Sequence, residues 1–115
     1  MKKIYLADNY ENHDRMQKYA DFLSQGFEIV STWHNPDVVL DAEQMIGDGH
    51  EAECLQHAAF RDLQEIDECD IFMIFNHDVS KTGGKHFETG YAYAQGKQIV
   101  LDGPRTNVFH FMESI

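Results

Sequence analysis

The strongest constraint on the fold is a pair of short apolar runs in the second half of the chain. Residues 70–75 read DIFMIF and residues 98–102 read QIVLD, and neither run alternates apolar with polar residues. A strand of a half-exposed sheet alternates in this way, whereas a strand of a parallel sheet covered on both faces is apolar throughout. The two runs therefore predict the parallel sheet of an α/β protein.

The rest of the chain alternates between strand-like and helix-like patterns, as an α/β protein requires. Further strands are predicted over residues 2–7 and 27–33. Apolar residues at helical spacing predict helices over 12–25, over 50–67 as one helix or two, over 84–95, and a short terminal one over 108–112. Residues 34–48 are ambiguous, with one helical turn around 38–45. The whole pattern predicts a single domain, residues 1–115, whose parallel sheet has four to five strands with helices on both faces.

Composition excludes several classes of partner. The chain has 20 Asp and Glu against 9 Lys and Arg, a net charge of −11, which repels nucleic acid backbones and anionic lipid. No apolar run approaches the roughly 18 residues of a membrane span, and Cys54 and Cys69 allow at most one disulfide. We expect a cytoplasmic protein with reduced thiols that binds neither a nucleic acid polymer nor a membrane. A small anionic ligand is still compatible with this charge, because backbone amides can bind it locally.

Ligands of parallel α/β sheets bind beyond the carboxyl ends of the strands. In this sequence those ends lead into residues 7–10, 76–84 and 102–107. The second of these loops ends in Gly83 and Gly84, directly before a predicted helix. Such a pair lets backbone N–H groups approach a phosphate or a sugar, although it is also an ordinary turn.

Three side chains near this edge are candidates for chemistry. We expect Glu88 in the first turn of its helix, where the dipole stabilises a carboxylate by roughly 0.3–1 kcal/mol; the alternative is that Glu88 only complements that dipole. Asp62, with Glu65 three residues later, fits either a capping box at a helix start or a carboxylate that points into the site. Tyr5 lies close to the carboxyl end of the first strand, as a core residue or as a site residue.

A metal site is a further possibility, raised by the spacing of His50, Cys54 and His57. These residues stand at i, i+4 and i+7 and so share one helix face. No fourth ligand is apparent at a matching spacing. We therefore predict no metal and no cofactor.

Taken in order along the chain, these segments resemble the nucleoside 2-deoxyribosyltransferase family. The residues that carry the resemblance are Ile4, Tyr5, Leu6 and Ala7; Asp62, Leu63, Ile66 and Asp70; Thr82, Gly83, Gly84, Glu88, Gly90, Tyr91 and Ala92; and Gly96 and Lys97. The resemblance covers most of the chain and is weakest over residues 34–58. Trp33 and the tail around residues 103–110 are similar to the short phage and bacterial members.

The resemblance implies a flavodoxin-like or Rossmann-like three-layer sandwich and cleavage of the N-glycosidic bond of a 2′-deoxynucleoside or its 5′-monophosphate. By the same resemblance, Glu88 is the nucleophile that attacks the anomeric carbon, Tyr5 orients its carboxylate, and Asp62 binds or protonates the departing base. The deoxyribosyl group then passes to another base or to water. The residues that contact the small-molecule substrate are Ala7, Thr82, Gly83, Gly84 and Asn107.

The resemblance also implies a homodimer or a larger homo-oligomer. Family members complete their sites with a neighbouring subunit, and the tail over residues 105–110, with Asn107 reaching a partner's pocket, is the candidate here. The alternative is a chain end that packs on its own core.

Two positions depart from the family pattern. Thr82 stands where transferases of free nucleosides often carry Asp, and a hydroxyl there, near Lys81 or Lys85, is similar to the branch that hydrolyses deoxynucleoside 5′-monophosphates. His86 stands where glycine is common. These departures leave a non-catalytic nucleotide-binding or sensing module as the alternative function. A receiver-like signalling domain fits less well, because no acidic pair suited to Mg²⁺ follows the first strand.

Overall fold

A computed structural model describes residues 1–80 and 82–115, so Lys81, expected near a bound phosphate, lies outside the described residues. The strands in the described ranges are β1 (Lys3–Ala7), β2 (Glu28–Ile29), β3 (Ile71–Phe75) and β4 (Gln98–Asp102). The α-helices there are α1 (His13–Leu23), α2 (Pro36–Gly47), α3 (Glu51–Glu68) and α4 (Gly84–Ala94). Short 3-10 helices cover Tyr10–Asn12 and Val108–Phe111. None of the helices in the described ranges is long and apolar enough to cross a membrane.

The four strands form one parallel sheet in the order β2-β1-β3-β4. Right-handed crossovers in this order place α1 on one face and α3 and α4 on the other. The predicted α/β three-layer, flavodoxin-like architecture is therefore confirmed, with four strands. The two central strands, β1 and β3, supply the middle of the core, where the rings of Tyr5 and Phe72 stack with centroids 5.4 Å apart.

Strand β2 is shorter than the predicted segment 27–33, which is wrong beyond Ile29. The amide of Val30 still donates to the Ile4 carbonyl at 3.0 Å, and beyond Val30 side chains, rather than backbone groups, bind the edge of β1. The amide of Leu6 donates to the Ser31 hydroxyl at 3.2 Å, and the Trp33 indole donates to the Leu6 carbonyl at 2.7 Å. A buried backbone group needs a hydrogen-bond partner, which can be a side chain as well as a backbone group. Strand β2 can therefore end where the side chains of Ser31 and Trp33 bind the backbone of Leu6.

His34 completes this edge as a neutral side chain. Its two ring nitrogens lie 2.8 Å from the hydroxyl of Ser31 and 2.8 Å from the side-chain oxygen of Gln17. Burial lowers the pKa of His34 to about 4. An uncharged imidazole that donates to Gln17 and accepts from Ser31 satisfies both contacts.

Residues 36–47 form the full three-turn helix α2 rather than the single turn predicted. Pro36 occupies the first turn after an extended Asn35, which is a favoured helix start. The helix packs mainly against α3, and Gly49, with φ of +87°, turns the chain between them. Helix α3 is continuous, which settles the choice between one helix and two.

The carboxyl ends of β3 and β4 approach each other closely at Gly103. The residue has φ of +123°, and a Cβ placed on it would lie 2.6 Å from the carbonyl oxygen of Asn76. The Asn76 amide donates to the Asp102 carbonyl at 2.8 Å, and its side chain donates to the Pro104 carbonyl at 2.8 Å. A side chain at position 103 would therefore have to push these strand ends apart.

We predict that Gly103→Ala destabilises the protein more than Gly96→Ala. Gly96 also has a positive φ, +75°. Apart from Gly96 itself and its two chain neighbours, no heavy atom of the described residues would lie within 4 Å of a Cβ placed there. The backbone term alone costs about 1–2 kcal/mol at either site, and only Gly103→Ala adds a clash. Urea unfolding of both variants measures the difference, and equal losses would contradict the close approach.

Candidate active site

A hydrogen bond joins the centre of the sheet to α4. The hydroxyl of Tyr5 donates to Oε2 of Glu88 at 2.7 Å. The Tyr5 side chain is fully buried between its sheet neighbours, so it is a core residue whose hydroxyl reaches the candidate site. The bond fixes one oxygen of the Glu88 carboxylate and leaves Oε1 for another partner.

Glu88 is not in the first turn of its helix, and that expectation is wrong. Gly83, in the left-handed conformation with φ of 77°, precedes α4, and the first turn holds no acidic residue. Because the dipole effect fades beyond the first turn, burial dominates instead. Burial, followed by the charge of Asp62, raises the pKa of Glu88 to about 7, while the Tyr5 hydrogen bond opposes this rise.

Asp62 lies in the body of α3, which begins eleven residues earlier at Glu51, so the capping-box alternative is excluded. Its side chain is 20% exposed, and Oδ1 accepts from Nε and Nη2 of Arg61 at 3.2 and 3.0 Å. Burial raises the pKa of Asp62 to about 6, and Arg61 opposes this rise. Asp62 is therefore a carboxyl group that takes up a proton close to neutral pH.

Glu65, the other member of the supposed capping box, is tied to the segment after β2. Its carboxylate accepts from the amide of Thr32 at 2.9 Å and from the hydroxyl of Thr32 at 2.6 Å. Burial is the main cause that raises the pKa of Glu65. The residue fastens α3 to the edge of the sheet.

Two clefts of about 370 Å³ each meet at Asp62 and Glu88. The first, the α2–α3 cleft, has the aromatic side chains of Tyr10 and Trp33 in its wall and Arg61 beside the carboxyl groups. The second, the α4 cleft, runs over the start of α4. A ligand that occupied both clefts would therefore contact both carboxyl groups at the junction.

Of the predicted substrate-binding residues, Thr82 and Gly84 line the α4 cleft. The amide of Gly83 donates to the Ser80 hydroxyl at 2.9 Å, so Gly83 shapes the loop before α4. Ala7 is fully buried in β1. The ammonium of Lys85 is also buried and donates to the Asp78 carbonyl at 2.9 Å, so it holds the loop rather than facing a phosphate.

Asn107 is not brought to Glu88 within one chain. Its side-chain oxygen accepts from the amide of Phe109 at 3.0 Å and thereby caps the terminal 3-10 helix. It lines a third cavity, of about 560 Å³, between the tail and α4. His86 lines the same cavity, 5.5 Å from the ring of His110, so His86 faces the tail and not the two carboxyl groups.

Sequence reasoning missed Arg61 and Tyr10. Tyr10 lies on the 3-10 helix after β1, and the cleft that it lines becomes visible only once α2 is recognised as a full helix. Arg61 directly precedes a candidate acid, and this adjacency was the one available signal. The loops at this edge are held by a charge network that was also missed, in which Arg15 donates to Asp8 at 3.2 Å and to Asp78 at 3.1 Å.

The possible metal ligands do not converge. The buried Cys54 thiol lies 3.9 Å from the Ala42 carbonyl, and His50 pairs with Glu53 at 3.8 Å. Within residues 1–80 and 82–115, no group of three or more His, Cys, Asp or Glu side chains could hold a metal ion. Both cysteines are free and buried.

The fold has a relative among solved structures, although comparison with protein family models and with curated proteins finds no match. The chain is similar to the CMP N-glycosidase BcmB of Clostridium botulinum, with 25% sequence identity and a TM-score of 0.59. The match covers 95% of this chain and 77% of that chain. The likeness thus extends over nearly the whole fold described above.

We predict that Glu88→Gln stabilises the protein at alkaline pH. The pKa of Glu88, about 7 when folded against a usual 4.5, means that the folded state binds this proton more tightly than the unfolded state. The contribution of Glu88 to the free energy of unfolding is fully present below pH 4.5 and is lost as the pH rises through 7, which costs about 3 kcal/mol at pH 8. Glutamine is neutral throughout, so the variant should gain that amount at pH 8 and little at pH 4.5.

Urea unfolding at the two pH values measures the effect. Glu51→Gln, on the exposed start of α3, is the matched control and should show no such gain. An equal change at both pH values for Glu88→Gln would show that burial does not disfavour the Glu88 charge.

Proposed function

We propose that the protein cleaves the N-glycosidic bond of a nucleotide or nucleoside, with a 2′-deoxynucleoside 5′-monophosphate or a 2′-deoxynucleoside as substrate. The observation that carries the proposal is the Tyr5–Glu88 hydrogen bond beside Asp62, at the junction of two clefts. The similarity to a CMP N-glycosidase supports it. The site then works as the resemblance to the nucleoside 2-deoxyribosyltransferases implies.

The reaction is a double displacement that uses two carboxyl groups in different roles. Oε1 of Glu88 attacks the anomeric carbon, the C1′–N bond breaks with its electron pair going to the base, and Asp62 gives the base a proton. The resulting glycosyl ester on Glu88 is then attacked by water or by a second base, whose proton Asp62 takes up. The anomeric configuration is retained, and both carboxyl groups return to their starting states.

The raised pKa values let the two carboxyl groups share a proton near neutral pH. The productive form has a charged Glu88 and a protonated Asp62, and it is the minor singly protonated form because the pKa of Glu88, about 7, lies above that of Asp62, about 6. The hydroxyl of Tyr5 donates to the charged form of Glu88 and so favours it as the nucleophile. Such tuning by burial and by neighbouring groups is typical of catalytic acids and nucleophiles.

The linings of the two clefts support one orientation of the substrate. Both clefts share Asp62 and Glu88, so they differ in their other lining residues. The aromatic wall of the α2–α3 cleft, from Tyr10 and Trp33, suits a planar base. The α4 cleft contains Thr82 and Gly84 at the start of an eleven-residue helix, where backbone amides favour an anion. The base therefore occupies the α2–α3 cleft and the 5′-phosphate the α4 cleft.

Association of two or more copies is part of the proposal. Large aromatic side chains on α4 and the tail are exposed, with Phe87 at 69%, Phe109 at 67% and Phe111 at 70%. Apolar surface of this kind supports a homo-oligomer. Asn107 of one copy would then have to leave its capping contact in order to reach another copy's site.

We predict that Glu88→Ala abolishes base release. Loss of the nucleophile should reduce the rate by at least about 10³-fold, and Asp62→Asn should reduce it by about 10²–10⁴-fold, as expected for an acid catalyst. The assay is chromatographic detection of free base from a panel of ribo- and 2′-deoxy-nucleosides and their 5′-monophosphates. Each substrate is tested with and without a second free base, which separates transfer from hydrolysis.

Retained activity in Glu88→Ala would contradict the mechanism. Binding by the wild-type protein without base release, seen as a thermal shift with intact ligand, would instead identify a nucleotide-binding or sensing module. The position of His86, away from the two carboxyl groups, removes one of the reasons to expect such a module.

We predict that Tyr5→Phe slows base release about tenfold and moves the acid limb of the pH–rate profile to higher pH. The variant keeps the ring that stacks on Phe72 but loses the donor that opposes the rise in the pKa of Glu88. A net contribution of about 1.5–3 kcal/mol for a hydrogen bond to a charged group sets the scale of the effect. Tyr91→Phe is the matched control, because it removes a hydroxyl that donates to Asp67; it should leave the profile unchanged.

A further inference from the structure

Arg61 makes a contact that is unusual for a helical residue. Two of its nitrogens, Nε and Nη2, donate to Oδ1 of the next residue, Asp62. Consecutive side chains on a helix point about 100° apart and do not face each other. The guanidinium must therefore curl back toward the α2–α3 cleft, which both residues line.

The reason lies one turn further along α3. The usual partner of an arginine on a helix stands four residues away, and for Arg61 this is Glu65. Each oxygen of Glu65 already accepts a hydrogen bond from Thr32, one from its amide and one from its hydroxyl. This tie holds the Glu65 carboxylate toward the segment after β2, so Arg61 acts on Glu65 through its charge and gives its hydrogen bonds to Asp62.

The contact makes the two oxygens of Asp62 unequal. A proton on Oδ1 would point at two N–H donors, whereas a proton on Oδ2 leaves both hydrogen bonds intact. We infer that Arg61 is a positioning residue, which directs the transferable proton of Asp62 to Oδ2 and stabilises the carboxylate left behind. The inference rests on the proposed function, in which the electron pair of the broken C1′–N bond goes to the base and the Oδ2 proton of Asp62 follows it.

Other charged and titratable groups line the two clefts beside Asp62 or interact with it through their charge. They are Glu65 and His57 on α3, Glu88 and Lys85 on α4, Tyr5 on β1, Tyr10 after β1, and Asp41 on α2. The Lys85 ammonium is bound to backbone carbonyls, so among residues 1–80 and 82–115 Arg61 is the cation that hydrogen-bonds Asp62. Its removal should therefore raise the pKa of Asp62, in the direction in which burial already acts.

The first test needs no turnover. The protein is labelled with carbon-13 at the aspartate carboxyl groups, and the titration midpoint of Asp62 is followed by NMR. The midpoint should rise by about one pH unit in Arg61→Gln. It should rise by less in Arg61→Lys, which keeps the positive charge but lacks the paired N–H donors of the guanidinium. Arg15→Gln, which breaks contacts to Asp8 and Asp78 instead, is the control and should leave this midpoint unchanged. An unshifted midpoint in Arg61→Gln would overturn the inference.

The second test compares two leaving groups on the same sugar. Arg61→Gln should slow release of a natural base about tenfold, but should slow release of 4-nitrophenolate, which departs without a proton, by less than about twofold. Equal slowing of both would overturn the inference, because a merely structural role affects both alike. If the wild-type protein releases no base at all, the proposed function fails. The titration then still tests whether Arg61 stabilises the Asp62 carboxylate.

Discussion

The hydrogen bond from Tyr5 to Glu88 is the contact through which the core and the site depend on each other. One partner belongs to the most buried strand of the sheet, and the other lies on a helix packed above it. The Tyr5 ring is held on all sides, so its hydroxyl has essentially one position, and Glu88 has to come to it. A buried carboxylate without a partner would be strongly disfavoured. The Tyr5 hydroxyl therefore also stabilises the folded state with Glu88 in this position.

The site lowers the stability of the fold in a specific way. Asp62 and Glu88 are partly buried on neighbouring helices, and burial is the largest cause of the raised pKa of each. A protein selected for stability alone would place apolar side chains at both positions. The same burial that is unfavourable for folding lets each carboxyl group gain or lose a proton near neutral pH. Tyr5 favours the charged form of Glu88, and Arg61 favours the charged form of Asp62.

The central strands could be predicted from sequence because their signal is local: runs such as IFMIF in β3 are apolar at every position and need no tertiary information. The closeness of Tyr5 and Glu88 also followed, since strand ends and the first turns of helices gather at one edge of a parallel sheet. Asp62 lies in the body of α3, and only the family resemblance indicated its place beside them. The extent of β2 and α2 could not be derived in this way. β2 ends where Trp33 reaches Leu6, a contact across 27 residues, and α2 has an apolar face that is only partly buried. The place of Glu88 in its helix depended on a single residue, Gly83, whose left-handed conformation sets where α4 begins.

The short β2 has a consequence for how the sheet can meet other chains. An exposed strand edge is a template on which a further strand can add, and proteins commonly block such edges. Here the unpaired length of β1 is closed by the Ser31 hydroxyl and the Trp33 indole, which occupy the amide and the carbonyl of Leu6. These side chains leave no backbone group of Leu6 for an incoming strand, so no strand can pair with β1 beyond the end of β2 by β-augmentation.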